Sequence, residues 1–333
     1  MQGKVLIVGG AGQIGHAVAA ALLADGWRVI VSSRSGAGPA PAGGELVACD
    51  RDQPGALAGA VGEGVDALID VAAYDADHAR QLLEVQADVG AFVVISSASV
   101  YRDAVGRTLD EAASGGFPEL PVPIAADQPT VDPGPDTYST RKVALEQALL
   151  QHVLRPTTIL RRGAIHGLAS RHSREWFFVK RILDRRSAVP LAYMGESRFH
   201  TTAAANIAEL VRIALARPGV GALNIADPVA LSVSEIGRAI AASYGRTCEI
   251  VPFAGPPQVR LGAHPWCVPA PIVLDMSRAA AIGYRPAVTY EQSVGEDCRS
   301  IEAMAASGAI FPDYINAMFD YAAEDAWLAR SQA

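Results

Sequence analysis

The stretch Val5-Leu6-Ile7-Val8-Gly9-Gly10-Ala11-Gly12-Gln13-Ile14-Gly15 opens the chain, and its reading decides the fold. Four apolar residues in a row form a strand buried on both faces, and the alanine-rich run Gln13–Asp25 that follows reads as a helix. Between them, Gly9 permits a tight turn, Gly12 lets the backbone approach a pyrophosphate, and Gly15 lets the helix pack closely on the strand. The helix start adds free N–H groups and the positive end of a dipole. An ordinary glycine-rich turn would show the same spacing. Its position between a strand and a helix favours dinucleotide binding through Gly9, Gly12, Gln13, Ile14 and Gly15.

Outward from this turn the pattern repeats. Strands are expected at 28–31, 46–48, 67–71 and 92–95, with helices at 54–61 and 77–86. Strands apolar on both faces with helices between them predict an α/β fold, a Rossmann-type doubly wound parallel sheet. The run 102–136 breaks the rhythm with six prolines and reads as a long functional loop. A helix Tyr138–His152, a strand 157–160, helices near 174–185, 206–216 and 234–244, and a strand 222–225 follow. Ser232 or Ser234 is the expected N-cap of the 234–244 helix. The strand 222–225 is expected to return to the nucleotide sheet. The expected division is therefore a nucleotide-binding domain of 1–166 and 201–227, interleaved with a smaller mixed α/β substrate lobe of 167–200 and 228–333.

Composition limits the function. Half of the 333 residues are hydrophobic, which supports a full core and excludes disorder across the whole chain. With 28 Lys+Arg against 35 Asp+Glu, the net charge of −7 argues against a nucleic-acid-coating surface. Cys49, Cys248, Cys267 and Cys298 are scattered without a CxxC pair, so neither a disulfide framework nor a zinc site is expected. His166, His172 and His200 lack metal-ligand spacing, and no metal is expected. No apolar run reaches the roughly 18 residues of a membrane span, and the N-terminus is too short for a secretory signal. A soluble cytoplasmic protein with a small-molecule substrate is the expectation.

The second strand ends in Ser32-Ser33-Arg34, without the carboxylate that usually takes the ribose hydroxyls of NAD. Ser33 can donate to a 2′-phosphate and Arg34 can pair with it, which favours NADP(H) while NAD(H) stays possible. A solvated loop arginine is the alternative.

Tyr138 and Lys142 are four residues apart and share one helix face. An ammonium beside a phenol stabilises the phenolate, which suits proton exchange with a substrate oxygen near neutral pH. A serine at the end of the strand 92–95, in Ser96-Ser97-Ala98-Ser99-Val100-Tyr101, can hold that oxygen. A half-buried aromatic and a surface lysine are the bland alternative for the pair.

Together, the glycine turn, the Ser-Ser-x-Ser-Val-Tyr strand end and the Tyr-x-x-x-Lys pair about 40 residues later resemble the extended short-chain dehydrogenase/reductase superfamily. More narrowly they resemble its NAD(P)-dependent epimerase/dehydratase family. The likeness continues through Thr158-Ile159-Leu160-Arg161-Arg162-Gly163-Ala164-Ile165-His166-Gly167, Gly221–Ile225 and Leu274–Arg278. The resemblance implies that Ser97, Tyr138 and Lys142 are catalytic, with Lys142 also binding the nicotinamide ribose and lowering the tyrosine pKa. It implies cofactor contacts at Asp50, Arg51, Val71, Ala72, Ala73, Ser96, Gly163 and Ile165. The chain departs from the family where Arg162 replaces the usual Pro, His166 stands where Tyr is common, and Asn206 stands where an Asp usually opens the helix. No Asn is evident at the position that often completes a catalytic tetrad. The segment after Tyr74 is short, as in a compact branch that includes the chloroplast stem-loop RNA-binding proteins.

Ser99, Tyr101, Arg162, His166 and Arg198 are candidate substrate contacts. Of Arg161 and Arg162, one is read as structural and one as reaching the substrate. Trp176, Phe177 and Phe178 read as core in preference to a pocket wall. Ser97 is followed by Ala98-Ser99 where the family's dehydratases place Asp-Glu, which disfavours dehydration. A reductase is favoured slightly over a nucleotide-sugar epimerase. A non-catalytic NADP(H)-binding or RNA-binding module is the alternative of another class. By resemblance, a homodimer is expected.

Overall fold

The computed structural model describes residues 3–36, 43–168, 170, 172–259 and 261–331. These fall into two compact units, one of Met1–Gly163, Ala204–Ala226 and Leu274–Ala287, the other of Ala164–Ala203, Asp227–Val273 and Val288–Ala333. The break after Gly163 falls earlier than the sequence reading places it. The segment Leu274–Ala287, expected in the substrate lobe, packs with the nucleotide unit instead. Two local links hold it there: Leu274 bridges Ile124, and the Asp275 amide donates to the Ile124 carbonyl at 2.8 Å.

The first unit is built on a seven-stranded, fully parallel sheet. Its spatial order is Gly221–Ile225, Thr157–Arg162, Val89–Ser97, Val65–Asp70, Lys4–Val8, Arg28–Ser33, Glu45–Ala48. The chain builds outward from Lys4–Val8 in one direction, then crosses to Val65–Asp70 on its other side. That reversal leaves a crevice beyond the carboxyl ends of the two central strands, where open α/β sheets bind ligands. Val5, Leu6, Ile7, Leu68, Ile69, Val93 and Val94 are all at or near zero exposure, as strands covered on both faces require. Helices Gln13–Ala24 and Ala204–Ala216 pack together on the sheet, as do Ala76–Glu84 and Tyr138–His152.

Several strands run further than their apolar runs. Arg28–Ser33, Val89–Ser97 and Thr157–Arg162 each end in polar residues that still pair in the ladder. Hydrophobic pattern stops where the polar ends begin, and those ends are what the sheet presents to the crevice. Within 102–136 only a short helical turn, Ala112–Gly115, is regular. Its shape comes from Asp103, which accepts from the backbone amides of Val105, Arg107 and Glu119 and from the Arg107 side chain.

The second unit contains two short parallel strand pairs, Ala188–Leu191 with Glu249–Pro252 and Ala164–His166 with Thr201–Ala203. Helices Trp176–Leu183, Val233–Ser243 and Tyr290–Ala306 pack around one apolar core. Trp176, Phe177 and Phe178 lie in that core with Ile236, Ile240, Val294 and Ile301. Trp176 stacks on Phe311 at 4.2 Å between ring centres. Ser232 caps Val233–Ser243 reciprocally with Glu235, satisfying two amides at the helix start.

Candidate active site

The glycine turn is shaped by contacts that leave no room for side chains. Gly9 adopts φ of +77°, and a Cβ there would lie 2.8 Å from that of Ala72. A Cβ at Gly10 would meet Val31 at 2.3 Å, and one at Gly15 would meet the Gly10 Cα at 2.3 Å. Gly12 differs, since the nearest atom to its Cβ position is the Gly9 carbonyl oxygen at 3.8 Å. It is also the N-cap of Gln13–Ala24 and offers no side-chain acceptor, so no cap occupies the first-turn amides. Beside it, the buried Gln13 Oε1 has no hydrogen-bond partner among the described residues, while Ile14 is buried.

A cavity of about 320 Å³ adjoins this turn, lined by Gly9, Ser33, Arg34, Asp50, Arg51 and Ala72 among others. Arg34 is exposed at its rim and Ser33 and Asp50 are half-buried. A glycine cradle, uncapped helix amides and an adjoining polar cavity fit an adenine dinucleotide. Arg51 is held from within the protein. It lines the cavity, but its guanidinium is committed to Asp70 at 2.6 Å, to Gln81 at 2.9 Å and to the His78 carbonyl. It is therefore a fixed wall of that cavity.

Asp70 was invisible in the sequence, an acid at the end of an apolar strand. It is fully buried, and its Oδ1 accepts from the amides of Ala72 and Ala73 at 2.9 and 2.7 Å. This carboxylate fixes the Val71–Ala73 backbone. Lys142 reaches the same segment, donating from Nζ to the Ala73 carbonyl at 2.5 Å and to the Ile95 carbonyl at 3.1 Å. Burial, and next the nearby Arg162 guanidinium, push the Lys142 pKa down to about 8.

Tyr138 begins the helix Tyr138–His152, which Thr137 and Thr140 cap reciprocally. The helix start is pinned to the serine-rich strand end, since Ser139 Oγ donates to the Ser99 carbonyl at 2.8 Å. Lys142 Nζ lies 5.8 Å from the centre of the Tyr138 ring. Ser97 is paired across the ladder with Arg162, whose Nη2 lies 3.3 Å from the Tyr138 hydroxyl oxygen. Ser97, Tyr138, Lys142 and Arg162 therefore gather at one end of the sheet. Ser97 Oγ accepts from the Ser99 amide at 3.2 Å and from the Ser99 hydroxyl at 3.0 Å. Ser99 thus acts on Ser97. Gly163 is buried at the close of the first unit.

Two expected site residues, Ser96 and Tyr101, have their hydroxyls held in buried internal bonds. Ser96 is fully buried and its hydroxyl donates to Glu146. Glu146 also holds Arg161 in a buried pair at 2.6 Å, which makes Arg161 the structural member of the arginine pair. Tyr101 is fully buried too, donating to Asn224 at 2.5 Å and accepting from Arg161. With no exposed atom, it is not a substrate contact.

Ile165, His166 and Arg198 belong to the second unit. His166 is 1% exposed and held between Asp227 at 2.8 Å and Asp297 at 2.9 Å, so neither ring nitrogen is open to a substrate. Burial alone would lower its pKa, but the Asp227 and Asp297 carboxylates and nearby Glu175 hold it well above the ordinary imidazole range. Arg198 bonds the Ala230 carbonyl at 2.6 Å and pairs with Glu235 and Glu196, which fixes it to the capped helix start. Among the described residues, no group of three or more His, Cys, Asp or Glu side chains could hold a metal ion, and no helix is long and apolar enough to cross a membrane.

The NAD dependent epimerase/dehydratase family profile matches residues 5–225, well over half of the chain. The protein belongs to that family. This epimerase/dehydratase-family enzyme is 37% identical to 2′-dehydrokanamycin reductase of Streptomyces kanamyceticus over 114 residues, a stretch that is 33% of this chain and 32% of the reductase. Its fold is that of UDP-glucose 4-epimerase of Thermus thermophilus in complex with NAD, with TM-score 0.67, 20% identity, and coverage of 90% of this chain and 99% of the other. A dTDP-glucose 4,6-dehydratase of Bacillus anthracis in complex with NAD is similar at TM-score 0.66 and 17% identity, covering 90% of this chain and 96% of the other.

Proposed function

We propose that this enzyme is an NADP(H)-dependent oxidoreductase that reduces a carbonyl of a small molecule, with Tyr138 as proton donor, Lys142 as its electrostatic partner and Ser97 as the anchor of the substrate oxygen. The reading is carried by one arrangement, the Tyr138 hydroxyl and Ser97 at the same sheet end as a buried ammonium at residue 142. A nicotinamide, when bound, supplies the hydride. Gly9, Gly12 and the first amides of Gln13–Ala24 would hold the pyrophosphate, and Val71–Ala73, kept in place by Asp70, would support the adenosine side.

The Ser99 amide and hydroxyl approach Ser97 Oγ at 3.2 and 3.0 Å, and with both donating, the Ser97 hydrogen is left for a substrate oxygen. Tyr138 delivers its proton to that oxygen and carries negative charge while the proton is away. The Lys142 ammonium, held by two carbonyls, stands beside the ring to balance that charge. The partial likeness to a reductase favours net reduction over epimerisation.

NADPH oxidation with a panel of carbonyl compounds tests the reading, comparing wild type with Tyr138→Phe. Substrate-dependent oxidation lost in the variant is the expected result. Tight NADPH binding with no turnover in either protein would replace the reductase with a non-catalytic binder, and turnover without net nicotinamide consumption would replace it with an epimerase. The cofactor choice is tested by Arg34→Asp, which should weaken NADPH far more than NADH, since Arg34 stands exposed at the rim of the adenosine-side cavity. Equal loss of both would sink the NADP(H) assignment.

A further inference from the structure

Arg162 stands where the family reading expects an imino acid. In the same unit Arg51, Arg107, Arg161 and Arg212 each pair with a carboxylate, at 2.6, 2.7, 2.6 and 2.5 Å respectively. Arg162 has no ion-pair partner among the described residues, although it is half-buried. Its bonds are long, 3.2 Å from Nη1 to the Gly163 carbonyl and 3.3 Å from Nη2 to the Tyr138 oxygen, where charge-assisted bonds run about 2.7–2.9 Å. Its Nε is buried with no hydrogen-bond partner among the described residues.

Nε and Nη2 form one edge of the guanidinium fork, the edge that matches a carboxylate with two parallel N–H···O bonds. On Arg162 that edge lacks a strong acceptor and borders the Tyr138 hydroxyl. Lys142 adds a second cation close by, and its depressed pKa registers the Arg162 charge. Two neighbouring cations, neither paired with a carboxylate among the described residues, favour an anion at this end of the sheet.

We propose that Arg162 is the specificity-determining residue of the site, pairing with a carboxylate that the substrate carries next to its reacting carbonyl. The substrate class is thereby an oxo acid or a sugar acid. The proposal rests on the reading of Tyr138 as the group that serves that carbonyl. Displacement of the long Tyr138 contact by a carboxylate would also leave the tyrosine hydroxyl free for the substrate oxygen.

The test is calorimetric titration of the full chain, with and without NADPH, using oxamate and its neutral counterpart oxamide. Oxamate should bind wild type at least about tenfold more tightly, about 1.4 kcal/mol. Arg162→Met should erase that difference while retaining NADPH binding, and Arg162→Lys, a point charge without the fork, should keep only part of it. Equal binding of the two probes by wild type, or binding of neither, overturns the proposal. So does an oxamate preference that survives Arg162→Met, or a variant that loses NADPH in place of oxamate. Inorganic phosphate binding more tightly than oxamate through Arg162 would replace the carboxylate by a phosphate. Failure of the Tyr138 reading registers separately, as NADPH oxidation that Tyr138→Phe leaves unchanged.

Discussion

Lys142 Nζ lies 2.5 Å from the carbonyl oxygen of Ala73, so the ammonium at the chemical end of the site is bonded to the backbone segment that Asp70 organises. Its pKa is lowered to about 8, first by burial and then by Arg162, and under the proposed role of Lys142 this should set a pH limit on activity. As pH rises through about 8 the cation beside Tyr138 is lost, and kcat/KM should fall on that alkaline limb. Arg162→Met removes one of the two depressing influences, so the limb should move to higher pH. Lys142→Met should lower kcat/KM by about a hundredfold or more at neutral pH. A limb unmoved by Arg162→Met would separate the two charges.

Asp70 supports this arrangement from below. Both its oxygens are used, one by the Ala72 and Ala73 amides and one by Arg51, and the pair is almost fully shielded from water. Asp70→Ala would take from Arg51 its only carboxylate among the described residues, leaving it Gln81 and the His78 carbonyl, and would remove the acceptor of the buried Ala73 amide and of the part-buried Ala72 amide. The expected cost is about 3–5 kcal/mol in chemical denaturation. Any variant that still folds should bind NADPH more weakly, because Val71–Ala73 loses its tether. Wild-type stability in the variant would show that Arg51 and the amides find other partners.

In the second unit, His166 between Asp227 and Asp297 makes stability depend on pH in a defined direction. Its folded pKa is raised above the unfolded value of ~6.5, so the folded state holds a proton that the unfolded state releases above that pH. The stabilisation is whole below about pH 6.5 and is lost as pH rises from there through the folded value. Asp227 acts on the acid side. Burial alone would raise its pKa, but His166 and its hydrogen bonds bring it down to about 2, so its contribution is present above ~3.9 and lost as pH falls through that lower value. The stability difference between wild type and His166→Gln, from denaturant melts across pH, should therefore shrink steadily above pH 6.5. A flat difference would mean that the imidazole is buried neutral.

The parts of this design that a sequence exposes are the local ones. The helix Tyr138–His152 falls where its pattern places it because a turn before it and the Thr137–Thr140 cap fix its start. The glycine turn is legible for the same reason, since its geometry is set within eleven residues. Asp70 and Glu146 are not legible, because a single acid in an apolar strand or on a helix looks the same whether it meets water or an arginine far along the chain. Arg161 and Arg162 are adjacent letters with opposite roles, and only strand alternation inside the folded sheet separates them, sending one to Glu146 and the other to Tyr138. The return of Leu274–Ala287 to the first unit leaves no periodic trace either, because single bridges and loop contacts carry it.

Gly12 and Gly15 separate what the turn does for the fold from what it does for a ligand. An alanine Cβ at Gly15 would sit 2.3 Å from the Gly10 Cα, a backbone collision that no side-chain shift relieves, so Gly15→Ala should disrupt the packing of helix Gln13–Ala24 on the sheet. At Gly12 the same Cβ meets nothing closer than 3.8 Å, and the residue's φ of −89° suits any L-amino acid. The fold therefore does not require glycine there, and Gly12→Ala should cost less than about 1 kcal/mol of stability, the scale of an exchanged N-cap. A pyrophosphate brought against the helix amides would meet the added methyl, so NADPH affinity should fall by about tenfold or more while the melting temperature stays nearly constant. Fluorescence titration with NADPH and a thermal melt on the same sample read the two quantities independently. Unchanged affinity in a folded Gly12→Ala protein would remove the phosphate from this turn, and with it the cofactor placement on which the reading of Tyr138 depends.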